Sequence, residues 1–200
     1  MESILESCLE ECDSTSISQD IIETLLLPLT PSYISDSPTS HALAQAVLRR
    51  STARLQGPLN TYLVNLMANS YTGGKEAAST NMEVLAGQLY PLIYELHTIS
   101  PGLLVDVIPN ICLQLQAEEE VRLGAVQVLG TLFSSEHANY GIDMNKYFKE
   151  FINRYIDLSV KVRMAMIETS VKMMQNKPEL FEDIEGNELL SVELMYCIIL

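Results

Sequence analysis

The stretch Leu103–Phe133, LLVDVIPNICLQLQAEEEVRLGAVQVLGTLF, decides the fold. It carries two apolar patterns of helical period on either side of an acidic break at Gln116–Glu120. In the first, Leu104, Ile108, Ile111 and Leu115 fall on one stripe of a helix; in the second, Val121, Ala125, Val128, Leu129 and Leu132 do the same. Neither helix can bury its own stripe, so the pair must fold back on itself and then find neighbours. Val121-Arg122 recurs as Val162-Arg163, 41 residues on, and Leu27-Pro28 stands about two such periods before Ile108-Pro109. A helix pair recurring at roughly 40–47 residues is the mark of HEAT and armadillo arrays. The expectation is an all-α fold, a HEAT-like α-solenoid of stacked antiparallel helix pairs.

Outward from this stretch, residues 1–184 read as a segment of such a solenoid, with pairs at about 18–56, 58–100, 103–134 and 146–176. Ser3 and Glu6 have capping-box spacing and open a short helix over 1–13. Gln19–Leu29 and His41–Arg54 are predicted helices around a proline- and serine-rich loop, Thr30–Ser40, and Gly57-Pro58 is expected to close the first pair. The second pair runs from Leu59 to Asn69, turns through Gly73-Gly74, and continues past Thr80 along Leu85, Leu89, Leu92, Ile93 and Leu96. Pro91 is predicted to kink that helix. After a loop over Ser134–Asn145, the fourth pair places Tyr147, Phe151, Ile152 and Tyr155 on one stripe. It places Val160, Met164, Ile167, Val171 and Met174 on the next. Lys177-Pro178 opens a short acidic helix. The tail 187–200 is apolar and departs from the pattern, and an uncovered apolar end of this kind is expected to promote association.

Composition narrows the function. The 200 residues are 48 % hydrophobic and only 19 % charged, which demands a large buried surface. A net charge of −14 is the wrong sign for a direct nucleic-acid ligand and suits a basic partner surface or simple solubility. No apolar run is long enough to span a membrane. Cys8, Cys12, Cys112 and Cys197 show no framework spacing, and Met1 is followed by Glu2, Glu6, Glu10 and Glu11. Reduced thiols in a cytosolic or nuclear compartment are the expectation.

Candidate chemistry is sparse. Gly73-Gly74-Lys75 is followed by Glu76 and lacks the strand and spacing of a phosphate loop, so it reads as a turn. Cys8 and Cys12 share a helix face, but His41, His97 and His137 are scattered singly, and buried thiols explain the cysteines better than a metal pair. No nucleophile–base pattern is visible, and neither enzymatic activity nor a cofactor is expected. An all-helical transferase or hydrolase with an unrecognised site is the enzyme alternative. Glu118, Glu119 and Glu120 form a solvated turn at a helix N-terminus, where carboxylates complement the helix dipole; a contact for a basic partner is the sharper alternative. Arg122 and Arg163 hold equivalent places in successive units and are expected to pair with carboxylates in a structural ladder, with Asp106, Glu120 and Asp157 as candidates. Arg49, Arg50 and Arg54 form a basic helix face that could instead take a phosphate or acidic peptide.

These residues also carry a resemblance. Pro101, Leu103-Leu104, Val107-Ile108-Pro109, Glu120-Val121-Arg122-Leu123 and Ala125-Val126 through Leu132-Phe133 resemble the precocious-dissociation-of-sisters family, large HEAT-repeat regulators of cohesin. Leu25–Leu29, Ala46–Arg50, Val160–Ile167 and Asn176–Leu180 extend it in order along residues 18–184. The resemblance implies a fragment of a longer, non-catalytic nuclear protein associated with chromatin. Its partners would be the cohesin kleisin subunit and the cohesin release or acetylation factors, without direct contact to nucleic acid or membrane. It further implies roles in sister chromatid cohesion, mitosis and DNA repair; a HEAT adaptor of another pathway, such as nuclear transport, is the alternative. It assigns no partner-binding residues.

Overall fold

A computed structural model of the chain describes residues 15–72 and 80–182. The helix expected over 1–13, the Gly73-Gly74-Lys75 turn and the tail 187–200 lie outside the described residues. Among the described residues every regular element is helical and no strand occurs. The fold class is all-α, with helices packed on helices in HEAT-like order. The chain divides into two compact units, residues 1–107 and 108–200.

Among the described residues the first unit opens with α1 (Thr15–Leu26), which tightens into a 3-10 turn at Leu27–Leu29. The loop expected over Thr30–Ser40 is instead helical. Pro31 starts α2 (Pro31–Asp36) and Pro38 starts α3 (Pro38–Arg50). A proline at the first helical position gives up no hydrogen bond, because that N–H has no partner inside a helix. The break expected at Gly57-Pro58 is absent too, since α4 (Thr52–Thr72) runs through it. Leu55, Leu59, Tyr62, Leu63 and Leu66 form one buried stripe across the proline. Their burial outweighs the single backbone bond that Pro58 cannot donate.

Pro91 acts as expected, one turn upstream of itself. The helix breaks at Gln88, between α5 (Thr80–Gly87) and α6 (Leu89–Ile99), because the proline ring cannot accept a neighbouring carbonyl four residues back. A 3-10 turn at Pro101–Leu104 then packs against α4 and α6, with Leu103 and Leu104 buried. The stripe Leu104–Leu115 is therefore divided between the two units. Polar groups pin this unit as well. Tyr62 donates to buried Glu23 at 3.2 Å, and Glu95 on α6 accepts from Gln45 on α3 at 2.8 Å.

The second unit comprises α7 (Ile108–Leu113), a 3-10 turn at Gln114–Gln116, α8 (Glu119–Phe133), α9 (Tyr140–Asp143), α10 (Asn145–Ile152), a 3-10 turn at Asn153–Ile156, α11 (Val160–Asn176) and α12 (Glu179–Glu182). Its main packing is α8 against α11. The two helices approach so closely at Gly130 that a Cβ there would lie 2.5 Å from Thr169. All four phenylalanines of the chain gather here: Phe133 packs edge-on against Phe148 and Phe151, and Phe148 against Phe181, at centroid distances of 5.3–6.4 Å. The stripe predicted for α10 is half right, because Phe151 and Ile152 are buried together with Phe148 in place of Tyr147. For α11 the predicted stripe is the wrong face. Val162, Ala165, Met166, Thr169, Ser170 and Met173 are buried, while Val160, Met164 and Val171 are exposed.

Candidate functional site

The charged residues of the second unit converge on the turn between α10 and α11. Asp157 is extended (φ −59°, ψ 148°), and Ser159, the N-cap of α11, is extended as well (φ −81°, ψ 126°). This backbone turns both side chains inward, and both are buried. The Ser159 hydroxyl accepts from the Val162 N–H at 3.4 Å, closing the first turn of α11. Asp157 Oδ1 accepts from the Ser159 N–H at 2.9 Å.

Across from this turn stands Arg122, in the first turns of α8. Its Nε and Nη2 donate to both oxygens of Asp157, at 3.0 and 2.9 Å, and its Nη1 donates to the Ala117 carbonyl at 2.7 Å. This fork joins one helix pair to the next over 35 residues. Arg154 completes the cluster, with Nη1 donating to Asp157 Oδ2 at 3.2 Å and to the Leu115 carbonyl at 3.0 Å. Burial pushes the Asp157 carboxyl up. The bonds from Arg122 and Ser159 and the charges of Arg122 and Arg154 outweigh it and hold the group below the usual carboxylate range.

Of the ladder residues read from the sequence, Arg122 therefore meets a carboxylate, and it is Asp157. Arg163 does not: its Nη1 donates to the main-chain carbonyls of Asp157 and Leu158 at 2.7 and 3.2 Å. The first of these clamps the turn from the other side. Asp106 lies in the first unit and accepts from Gln56 at 3.0 Å. Glu120 pairs with Lys161, which also holds Glu119, at 3.3 and 2.9 Å. Those bonds from Lys161, followed by one from Ser159, lower the Glu119 carboxyl. Glu118 occupies the N-cap position of α8 without a side-chain capping bond. Arg49, Arg50 and Arg54 are exposed at the end of α3 and the start of α4.

Sequence reasoning missed Arg154, Ser159 and Lys161. The signal for Arg154 was its place three residues before Asp157, where side chains on a helical turn meet. The signal for Lys161 was its place 41 residues after Glu120, the period of the repeat itself. Beside the cluster lies an open groove of about 490 Å³ lined by Gln116, Arg122, Asn153, Arg154, Ile156 and Leu158.

Among the described residues no group of three or more His, Cys, Asp or Glu could hold a metal, and no helix is long and apolar enough to cross a membrane. Cys112 is buried, and burial together with the charge of Glu150 pushes its thiol up to about 12, which keeps it protonated and unreactive.

Comparison with known proteins places this architecture. A family model described as sister chromatid cohesion protein PDS5 matches residues 1–195, and so runs past Gly186, where the sequence pattern changes. The chain is 24 % identical over 174 residues to the Homo sapiens protein named sister chromatid cohesion protein PDS5 homolog B, covering 86 % of this chain and 12 % of that one. The Gallus gallus homolog B gives the same figures. The Danio rerio homolog A is 25 % identical over 185 residues, covering 92 % of this chain and 13 % of its own length. The chain thus spans about an eighth of the curated relatives it matches. With the match covering nearly every residue, the chain belongs to the PDS5 family of sister chromatid cohesion proteins.

Proposed function

We propose that this protein acts in sister chromatid cohesion as a non-catalytic scaffold that associates with cohesin on chromatin in the nucleus. The observation that carries the reading is the family match over residues 1–195, together with relatives named for sister chromatid cohesion. The physical character of the chain agrees with it. A stack of helix pairs offers long surfaces and few enclosed pockets, which suits binding proteins rather than transforming small molecules. The finer part of the proposal names the cohesin kleisin subunit and the release or acetylation factors as partners, and extends the role to mitosis and DNA repair. Rapid depletion of the protein from dividing cells tests the core of it. Metaphase spreads are expected to show separated sisters, and the protein is expected to co-purify with the kleisin subunit. Paired sisters at normal frequency after complete depletion would overturn the reading.

A further inference from the structure

The segment Ile156–Val160 inverts the usual order of surface and core. Ile156, Leu158 and Val160 are 68, 96 and 62 % exposed, while Asp157 and Ser159 between them are 6 and 9 % exposed. Asp157 and Ser159 are extended between a 3-10 turn and α11, and the polar pair takes the inner side because its hydrogen bonds are there. Arg163 clamps the same turn through the carbonyls of Asp157 and Leu158. The apolar side chains are therefore held outward by a rigid polar anchor, at the edge of the groove that Ile156 and Leu158 help to line. A fixed exposed patch of this kind marks a contact surface.

The groove is also bordered by a guanidinium whose bonding is incomplete. Arg154 uses Nη1 for the Leu115 carbonyl and for Asp157, and its Nε is buried with no acceptor. Asp157 has no capacity left, since its two oxygens already take bonds from Arg122, Arg154 and Ser159. Arg122 shows what a guanidinium takes in this environment: a carboxylate. Among the residues that line the groove two guanidinium groups meet one carboxylate, in a chain whose net charge is −14. Glu119 and Glu120 are held by Lys161.

We propose that this groove docks an extended segment of a partner protein in which a carboxylate side chain stands beside a large apolar one. The carboxylate meets the part of the Arg154 guanidinium that lines the groove, and the apolar side chain packs on Ile156 and Leu158. The assignment rests on the protein-binding reading above, but its test requires no cohesin component. The isotope-labelled full chain is titrated with short soluble peptides that carry Asp-Leu-Asp-Leu, Asn-Leu-Asn-Leu or Lys-Leu-Lys-Leu in a Gly-Ser background, followed by amide chemical shifts. The Asp peptide is expected to bind about ten-fold more tightly than the other two, with shifts centred on residues 153–163. Leu158→Ser, at a position too exposed to affect folding, is expected to weaken it about five-fold, and Arg154→Lys similarly. Equal affinity for the Asn or Lys peptide, shifts centred elsewhere, or no binding below about 1 mM overturns the proposal. So does a chain that self-associates and becomes monomeric on Leu158→Ser with peptide binding unchanged, because the face would then belong to a second copy. Normal sister pairing after depletion, with the peptide result intact, would strike the cohesion role and leave the groove standing.

Discussion

Helices α8 and α11 hold the same place in successive units of one repeat, yet they are buried differently. In α8 burial is nearly continuous from Gly124 to Phe133, interrupted by Gln127 and Thr131. In α11 one stripe is buried, and Val160, Met164 and Val171 are left exposed on the other. The residue that corresponds to Gly130, one repeat later, is Val171. At Gly130 a neighbouring helix comes so close that only hydrogen fits, and at Val171 a β-branched side chain meets solvent. The size of the residue at a repeated position thus reports whether a helix is packed upon it. The arginines differ in the same sense. Arg122 reaches forward to a carboxylate of the following pair, and Arg163 turns back onto its own turn.

The largest test of this contrast removes the carboxylate that Arg122 and Arg154 share. Asp157→Ala leaves Arg122 and Arg154 partly buried without a counter-charge and should cost about 3 kcal/mol, read from the urea midpoint. A loss no greater than that of an ordinary surface substitution would mean that the cluster does not join the pairs. Next comes the close approach. Gly130→Ala forces α8 and α11 apart and should cost about 1–3 kcal/mol, while Val171→Ala stays within about 0.5 kcal/mol. Equal effects at the two positions would erase the distinction between the helices.

A smaller split is expected between the arginines. Arg122→Ala should destabilise by about 2 kcal/mol, and Arg163→Ala by about 1 kcal/mol, since only carbonyl bonds are lost there. The reverse ranking in thermal melts would place the ladder at the wrong arginine. The pH dependence sharpens the same point. The folded-state pKa of Asp157 is lowered, so its contribution is present above the ordinary aspartate range, near 3.9, and fades as pH falls through the folded value. Wild type should therefore lose more stability than Asp157→Asn on going from neutral pH into that range, and parallel curves would contradict the assignment. Lys161→Ala, at the exposed end of the contrast, should leave the melting temperature unchanged.

Helical period, and with it the class of fold, was legible in the chain: Leu85, Leu89, Leu92, Ile93 and Leu96 were predicted on one stripe, and all are buried. The arginine at a repeated position was legible as well, because a period in the sequence is a period in space. The carboxylate it would meet was not uniquely legible, since pairing depends on which residues the fold carries to within 3 Å, and Asp106, Glu120 and Asp157 looked alike in one dimension.

The sequence by itself determined that this is a helical repeat of the cohesion family. Only the tertiary structure decided which stripe of α11 faces inward. Two stripes on that helix have helical period, and the one richer in large apolar residues lost. Thr169 and Ser170 can be buried because their hydroxyls bond carbonyls one turn back within the helix, at 2.9 Å from Thr169 to Ala165 and through Ser170 to Met166. A pattern of apolar letters counts those two residues as polar. In the folded chain they bring no unsatisfied group with them, so the small, self-satisfied face packs on Gly130 and the larger apolar face remains outside.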